Sequence, residues 1–125
     1  MTRIHKAVSV LIILGGVGHS LATFAEFNAL STFALWFLGS GLMLVFLGLL
    51  NLALAFSSGE PGILGRLTLT ANALGAAFMI PLYWTTRATQ PLVFIALIAV
   101  AGVAALRLQR QRNADGESSK ARAFT

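Results

Sequence analysis

His19 is the one histidine set deep in an apolar stretch of this chain, and Thr23 and Glu26 follow it at i+4 and i+7. That spacing puts an imidazole, a hydroxyl and a carboxyl on one face of a helix. A proton-responsive or ligand-contacting group needs such neighbours, and ionisable residues inside a membrane span are functional candidates by default. Asn72, with Thr68 one turn before it, and Asn51 are the other polar residues embedded in apolar runs. Together His19, Thr23, Glu26, Asn51, Thr68 and Asn72 define a candidate polar cavity. The competing reading is structural. A neutral imidazole in hydrocarbon must find a partner because an unpaired polar group is costly there, and a carbonyl or hydroxyl on the next helix suffices. Side-chain hydrogen bonds between membrane helices average only about 0.6 kcal/mol, so Asn51 and Asn72 read equally well as residues that set helix register.

Other chemistries lack their parts. There are no cysteines, so disulfides, thiol catalysis and thiolate metal sites are excluded. His5 stands with Arg3 and Lys6 at the inner membrane surface, about 21 Å along a helix from His19, too far to share a metal within one chain. No His/Asp/Glu cluster suits a metal ion. Ser20, beside His19, points elsewhere on the helix, so no serine nucleophile has a base in sequence context. No catalytic residue, metal or cofactor is expected.

The elements that must position these groups follow from composition. Apolar residues make up 57% of the 125 residues and charged residues 10%. A soluble domain carries about 25% charge, so this surface is written for lipid. A spanning helix needs roughly 20 mostly apolar residues. Four runs qualify, about 4–27, 32–56, 62–84 and 91–108. Short polar breaks separate them, which makes neighbouring helices antiparallel. Pro61 and Pro91 stand at helix starts, where a missing N–H costs nothing. Pro81 frees the carbonyl of Ala77 and predicts a bend beside Met79, Tyr83 and Trp84, where a small pocket could open.

Charge sets orientation. Arg3, Lys6, Arg66, Arg107, Arg110, Arg112, Lys120 and Arg122 fall on one side of a four-span layout, and Arg87 alone on the other. The positive-inside rule then puts both termini in the cytoplasm. Trp36, Tyr83 and Trp84 lie near the outer boundary, where aromatic rings anchor, and Arg66 and Arg107 snorkel at the inner one. Arg66 is also within reach of Glu60 for a weak surface pair. The basic stretch 109–125 reads as a disordered cytoplasmic tail, or a frayed end of the fourth helix, that begins as a stop-transfer anchor. Arg3 and Lys6 before an apolar run ending Thr23, Phe24, Ala25 also fit a secretory signal peptide. The run is longer than such a peptide needs, and the expectation is a retained first span.

Close packing in lipid relies on small residues. The candidate faces are Gly15, Gly18, Ala22 and Ala25 in the first span and Gly41, Gly48 and Ala55 in the second. The third span offers Gly65, Thr68, Asn72, Gly75 and Ala76, and the fourth Ala101, Gly102 and Ala105. In size and layout the chain is similar to the small multidrug-resistance transporters. Those carry a glutamate in the middle of the first helix, whereas Leu11–Gly18 here contains no acid. It is similar also to the small dual-topology fluoride channels, but its one-sided charge argues for a single orientation. No residue role is carried over from either.

The expected protein is an all-α, antiparallel four-helix transmembrane bundle over 1–108, in a cell membrane (the inner membrane in a bacterium). Its expected partners are the lipid bilayer and either a second copy or a larger membrane protein, with no nucleic acid. The first functional expectation is a non-enzymatic structural or accessory component that packs through its small-residue faces. The second is a small transporter or channel with a polar cavity around His19 and Asn72. The third is a haem or quinone site at His19.

Overall fold

The computed structural model of the chain describes residues 2–58 and 62–123, with side chains as far as residue 118. Glu60 and Pro61, and the side chains of Lys120 and Arg122, lie outside the described residues. Four helices follow one another: α1 (Thr2–Glu26), α2 (Thr32–Phe56), α3 (Gly62–Thr86) and α4 (Thr89–Ala123). Among the described residues there is no strand. Each of the first three helices has 25 residues, about 37 Å at 1.5 Å per residue, and so exceeds a hydrocarbon core of about 30 Å. All four are long and apolar enough to cross a membrane.

Local signals account for the breaks. Ser31 caps α2, its side chain accepting from the Ala34 N–H at 3.1 Å, which satisfies one of the free donors of the first turn. α3 continues through Pro81 to Thr86. Thr85 and Thr86 then turn their hydroxyls back onto the carbonyls of Pro81 and Leu82. Arg87 takes a left-handed conformation, φ 54°, and lets the chain reverse into α4. α4 continues past Leu108, where the apolar run ends. It runs on to Ala123 as a 35-residue helix. Arg112 holds this extension to the end of α2, donating to Ser57 Oγ at 2.6 Å and to the Ser57 carbonyl at 2.5 Å. A cation at a helix C-terminus is favourably placed.

The helices are antiparallel neighbours in the order α1, α2, α3, α4, with α4 closing on α1. The start of α1, the end of α2, the start of α3 and the C-terminal part of α4 therefore share one end of the bundle, here called basal. The 27–31 and 87–88 connections share the other, the distal end. α1 packs most closely on α2, and α3 on α4, so the molecule is two helical hairpins. The contact of α1 with α2 is nearly backbone to backbone. A Cβ on Gly16 would lie 2.7 Å from the Gly41 carbonyl oxygen, and one on Gly48 would lie 2.8 Å from the Ser9 carbonyl oxygen. The face of α1 that makes this contact is Ser9, Ile12, Gly16, Ser20 and Thr23. The predicted stripe of Gly15, Gly18, Ala22 and Ala25 is not that face: a Cβ on Gly18 would meet nothing within 4 Å, and Ala25 is exposed. The predicted faces of α2 (Gly41, Gly48, Ala55) and α4 (Ala101, Ala105) are buried.

A central core of Val8, Ile12, Leu44, Leu47, Met79, Ile98 and Ala101 joins the two hairpins. A basal cluster of Leu54, Ala105 and Leu108 sits beneath it. Outside, Leu14, Leu21, Phe24, Phe46, Ile63, Leu74 and Ile80 are all more than half exposed. A surface this apolar has lipid as its natural solvent.

Candidate functional site

Two polar clusters lie inside the bundle, and they separate residues that the sequence grouped together. The basal cluster is built on Asn51 of α2 and Asn72 of α3. The Asn72 amide donates to Asn51 Oδ1 at 2.9 Å and Asn51 donates to Asn72 Oδ1 at 3.0 Å. Each amide spends its other proton on its own helix, at Leu47 O and Thr68 O, both 2.9 Å. Thr68 in turn donates to Leu64 O at 2.8 Å. The two amides thus fix each other's orientation.

His5 completes this cluster. Its Nε2 lies 3.1 Å from Asn51 Oδ1, which is an acceptor, so Nε2 donates. The sequence reading set His5 at the membrane surface with Arg3 and Lys6, but it is fully buried. The reason is helical phase. Successive residues turn by about 100°, so Arg3 and Lys6 point outward while His5 falls in line with Ser9, Ile12 and Gly16. Lys6 instead lies over the Phe56 ring, its Nζ 3.7 Å from the centroid. Position within the helix hid His5; its spacing to Ser9 and Ile12 was the signal that could have found it.

The distal cluster is built on His19. Its Nε2 lies 2.9 Å from Ser40 Oγ, and its ring stacks on Phe37 with centroids 4.0 Å apart. Ser40 donates to the Phe37 carbonyl at 2.7 Å. Neither Thr23 nor Glu26 is the partner of His19. Thr23 is buried in the α1–α2 contact with its hydroxyl unpaired among the described residues, and Glu26 is exposed at the end of α1. Ser40 escaped the sequence reading because the α1–α2 register, which sets it beside His19, is written in Gly16, Gly41 and Gly48 together and in none alone.

His19 and Ser40 form one wall of a groove of about 630 Å³ between the hairpins. Leu44, Met79 and Phe94 make its floor, and Phe33, Trp36, Thr86 and Gln90 its rim. Phe33 and Trp36 are each 77% exposed, so the groove is open on that side. Its origin is geometric. Asn51 and Asn72 join α2 to α3 toward the basal end, while distally Phe37 and Met43 of α2 and Phe78 and Leu82 of α3 line the groove. The pocket expected beside Pro81 is therefore present and includes Met79, but Tyr83 and Trp84 do not line it. Of the six residues grouped as a polar cavity, His19 alone lines the groove; Asn51, Thr68 and Asn72 belong to the basal cluster.

The anchors have separate places. Trp36 and Trp84 are exposed at distal positions, with Arg87 over the Trp84 ring at 4.5 Å, and Tyr83 is half-buried. Arg66 is exposed on the first turns of α3. Arg107 borders a second, apolar cleft of about 340 Å³ between α1 and α4, shared with Ile4 and Val103. Among the described residues no group of three His, Asp or Glu side chains is placed to hold a metal.

Comparison with protein-family models, with curated proteins and with solved structures returned no match. The functional reading rests on the groove and its chemistry.

Proposed function

We propose that this chain is a small, non-enzymatic multi-pass membrane protein that holds a lipid-soluble molecule in the groove between its two hairpins, with both termini in the cytoplasm. One observation carries the reading. The groove of about 630 Å³ is walled by aromatic and aliphatic side chains with the His19–Ser40 pair among them. Ligand sites have volumes of roughly 300–1,000 Å³, mostly apolar walls and a few converging polar groups. The orientation draws on the basic residues, of which Arg87 alone falls at the distal end. A transporter with one polar cavity around His19 and Asn72 has less support, because those residues sit in different clusters.

The test is saturable occupancy. A Trp84→Phe variant keeps Trp36, at the groove rim, as its single tryptophan. In bicelles, brominated lipid-soluble probes should quench Trp36 to a plateau, and Leu82→Phe, which fills the groove, should abolish the plateau. Quenching that rises linearly with probe and ignores Leu82→Phe refutes the reading.

A second reading is a structural component that packs on itself or on a larger membrane protein. Gly18 and Gly39 favour it, since a Cβ on either would meet open space. Crosslinking in the native membrane tests it, and a lone monomer refutes it.

A further inference from the structure

The hydrogen bonds at the groove wall define the polar end of its occupant. Ser40 has a single hydroxyl proton. Its Oγ lies 2.7 Å from the Phe37 carbonyl oxygen, and two oxygens that close need a proton between them. That proton is committed to Phe37, so Ser40 Oγ can only accept from His19 Nε2, 2.9 Å away. Nε2 then carries the ring proton, and in a neutral imidazole Nδ1 is left as a bare acceptor. Among the described residues Nδ1 of His19 has no hydrogen-bond partner, and unlike Nδ1 of His5 it is not sealed inside the protein. Stacking on Phe37 holds the ring in place.

The rim repeats the pattern. Thr86, the other hydroxyl on the groove, donates to Leu82 O at 2.8 Å and takes the Ala88 N–H at 3.3 Å as acceptor. Both hydroxyl protons at the groove are therefore spent on helix carbonyls. The wall presents an acceptor in an apolar setting, and the side chains with protons to offer, Trp36 and Gln90, both stand exposed at the rim.

We infer that the groove takes a lipid-soluble alcohol or phenol, whose hydroxyl donates to His19 Nδ1 while its hydrocarbon body lies along Met79, Phe78 and Phe94. This inference rests on the groove being a ligand site. A ketone, ester or ether of the same shape brings acceptors against an acceptor and leaves both unpaired, which an apolar wall penalises. His19 is thus a specificity-determining residue, reading the donor end of an amphiphile.

The experiment uses the full chain in lipid nanodiscs and two probes: a long-chain alcohol bearing a chain diazirine, and its methyl ether. Photolabelled residues are mapped by mass spectrometry. The alcohol should label groove residues about fivefold more than the ether, the difference one hydrogen bond supports. His19→Phe keeps the stacked ring and removes both nitrogens, and should make the two probes equal. Equal groove labelling in the unaltered protein overturns the donor inference and leaves the ligand site standing. Absence of both probes from the groove overturns the ligand site as well. A preference for the alcohol that persists in His19→Phe removes His19 from the role.

Discussion

The Asn51–Asn72 pair offers a quantitative test of how the two hairpins are joined. Asn51 makes three side-chain hydrogen bonds to other helices, one with His5 and two with Asn72, and Asn72 makes two. At about 0.6 kcal/mol each, Asn51→Leu should cost about 2 kcal/mol and Asn72→Leu about 1 kcal/mol. The double variant removes the same three bonds as Asn51→Leu, so it should also cost about 2 kcal/mol, and the coupling between the sites should be about 1 kcal/mol. Polar groups left behind raise the single costs: Asn51→Leu strands His5 Nε2 and both partner atoms of Asn72, whereas the double variant strands His5 alone. The double variant should therefore be no less stable than Asn51→Leu. Reversible unfolding in bicelles by added denaturing detergent, followed by circular dichroism, measures all three. Strictly additive losses would refute the reciprocal amide pair, because independent residues show no coupling. A larger loss from Asn72→Leu than from Asn51→Leu would place the node on the wrong residue.

Further outcomes follow from other contacts. Gly41→Leu drives a side chain into Ser20 and against the Gly16 carbonyl; it should lower stability by about 1–3 kcal/mol, while Gly18→Leu, which meets nothing within 4 Å, leaves the thermal midpoint in detergent unchanged. Arg112→Ala removes the bonds to Ser57 and should speed amide exchange over 109–118 by about fivefold, with the bundle itself unaffected. For orientation, Asn28→Cys should react with an impermeant maleimide in intact cells, and Asn113→Cys only after permeabilisation; the opposite pattern reverses the topology.

How much of this was legible follows from the physics of each feature. Hydropathy depends on residue type alone, so four apolar helices and the bounds of α2 at 32 and 56 could be read directly. The end of α4 could not. Hydropathy falls at Leu108, yet Gln109, Arg110, Gln111, Arg112 and Ala114 favour helix whatever the solvent, so the helix outlasts the apolar run. Small residues in α2 and α4 marked the packed faces. In α1 two glycines are adjacent, and whether Gly15 or Gly16 meets α2 turns on the partner's register. The same register pairs His19 with Ser40 and His5 with Asn51, across 21 and 46 residues of chain. Asn51 and Asn72 were visible as embedded amides, but their meeting depends on where α2 and α3 cross.

The rim at Phe33 and Trp36 opens sideways, through exposed apolar residues, and for a groove that fills from a bilayer that sets how occupancy must be counted. A molecule reaching His19 by this route leaves the acyl chains and never passes through bulk water. Its hydrocarbon body is already out of water before it binds, so burial in the groove adds little, and the hydroxyl bond and the shape of the cavity decide the equilibrium. The governing variable is the molecule's mole fraction in the bilayer. Diluting a membrane suspension with buffer should leave the groove as full as before, whereas adding empty lipid should drain it.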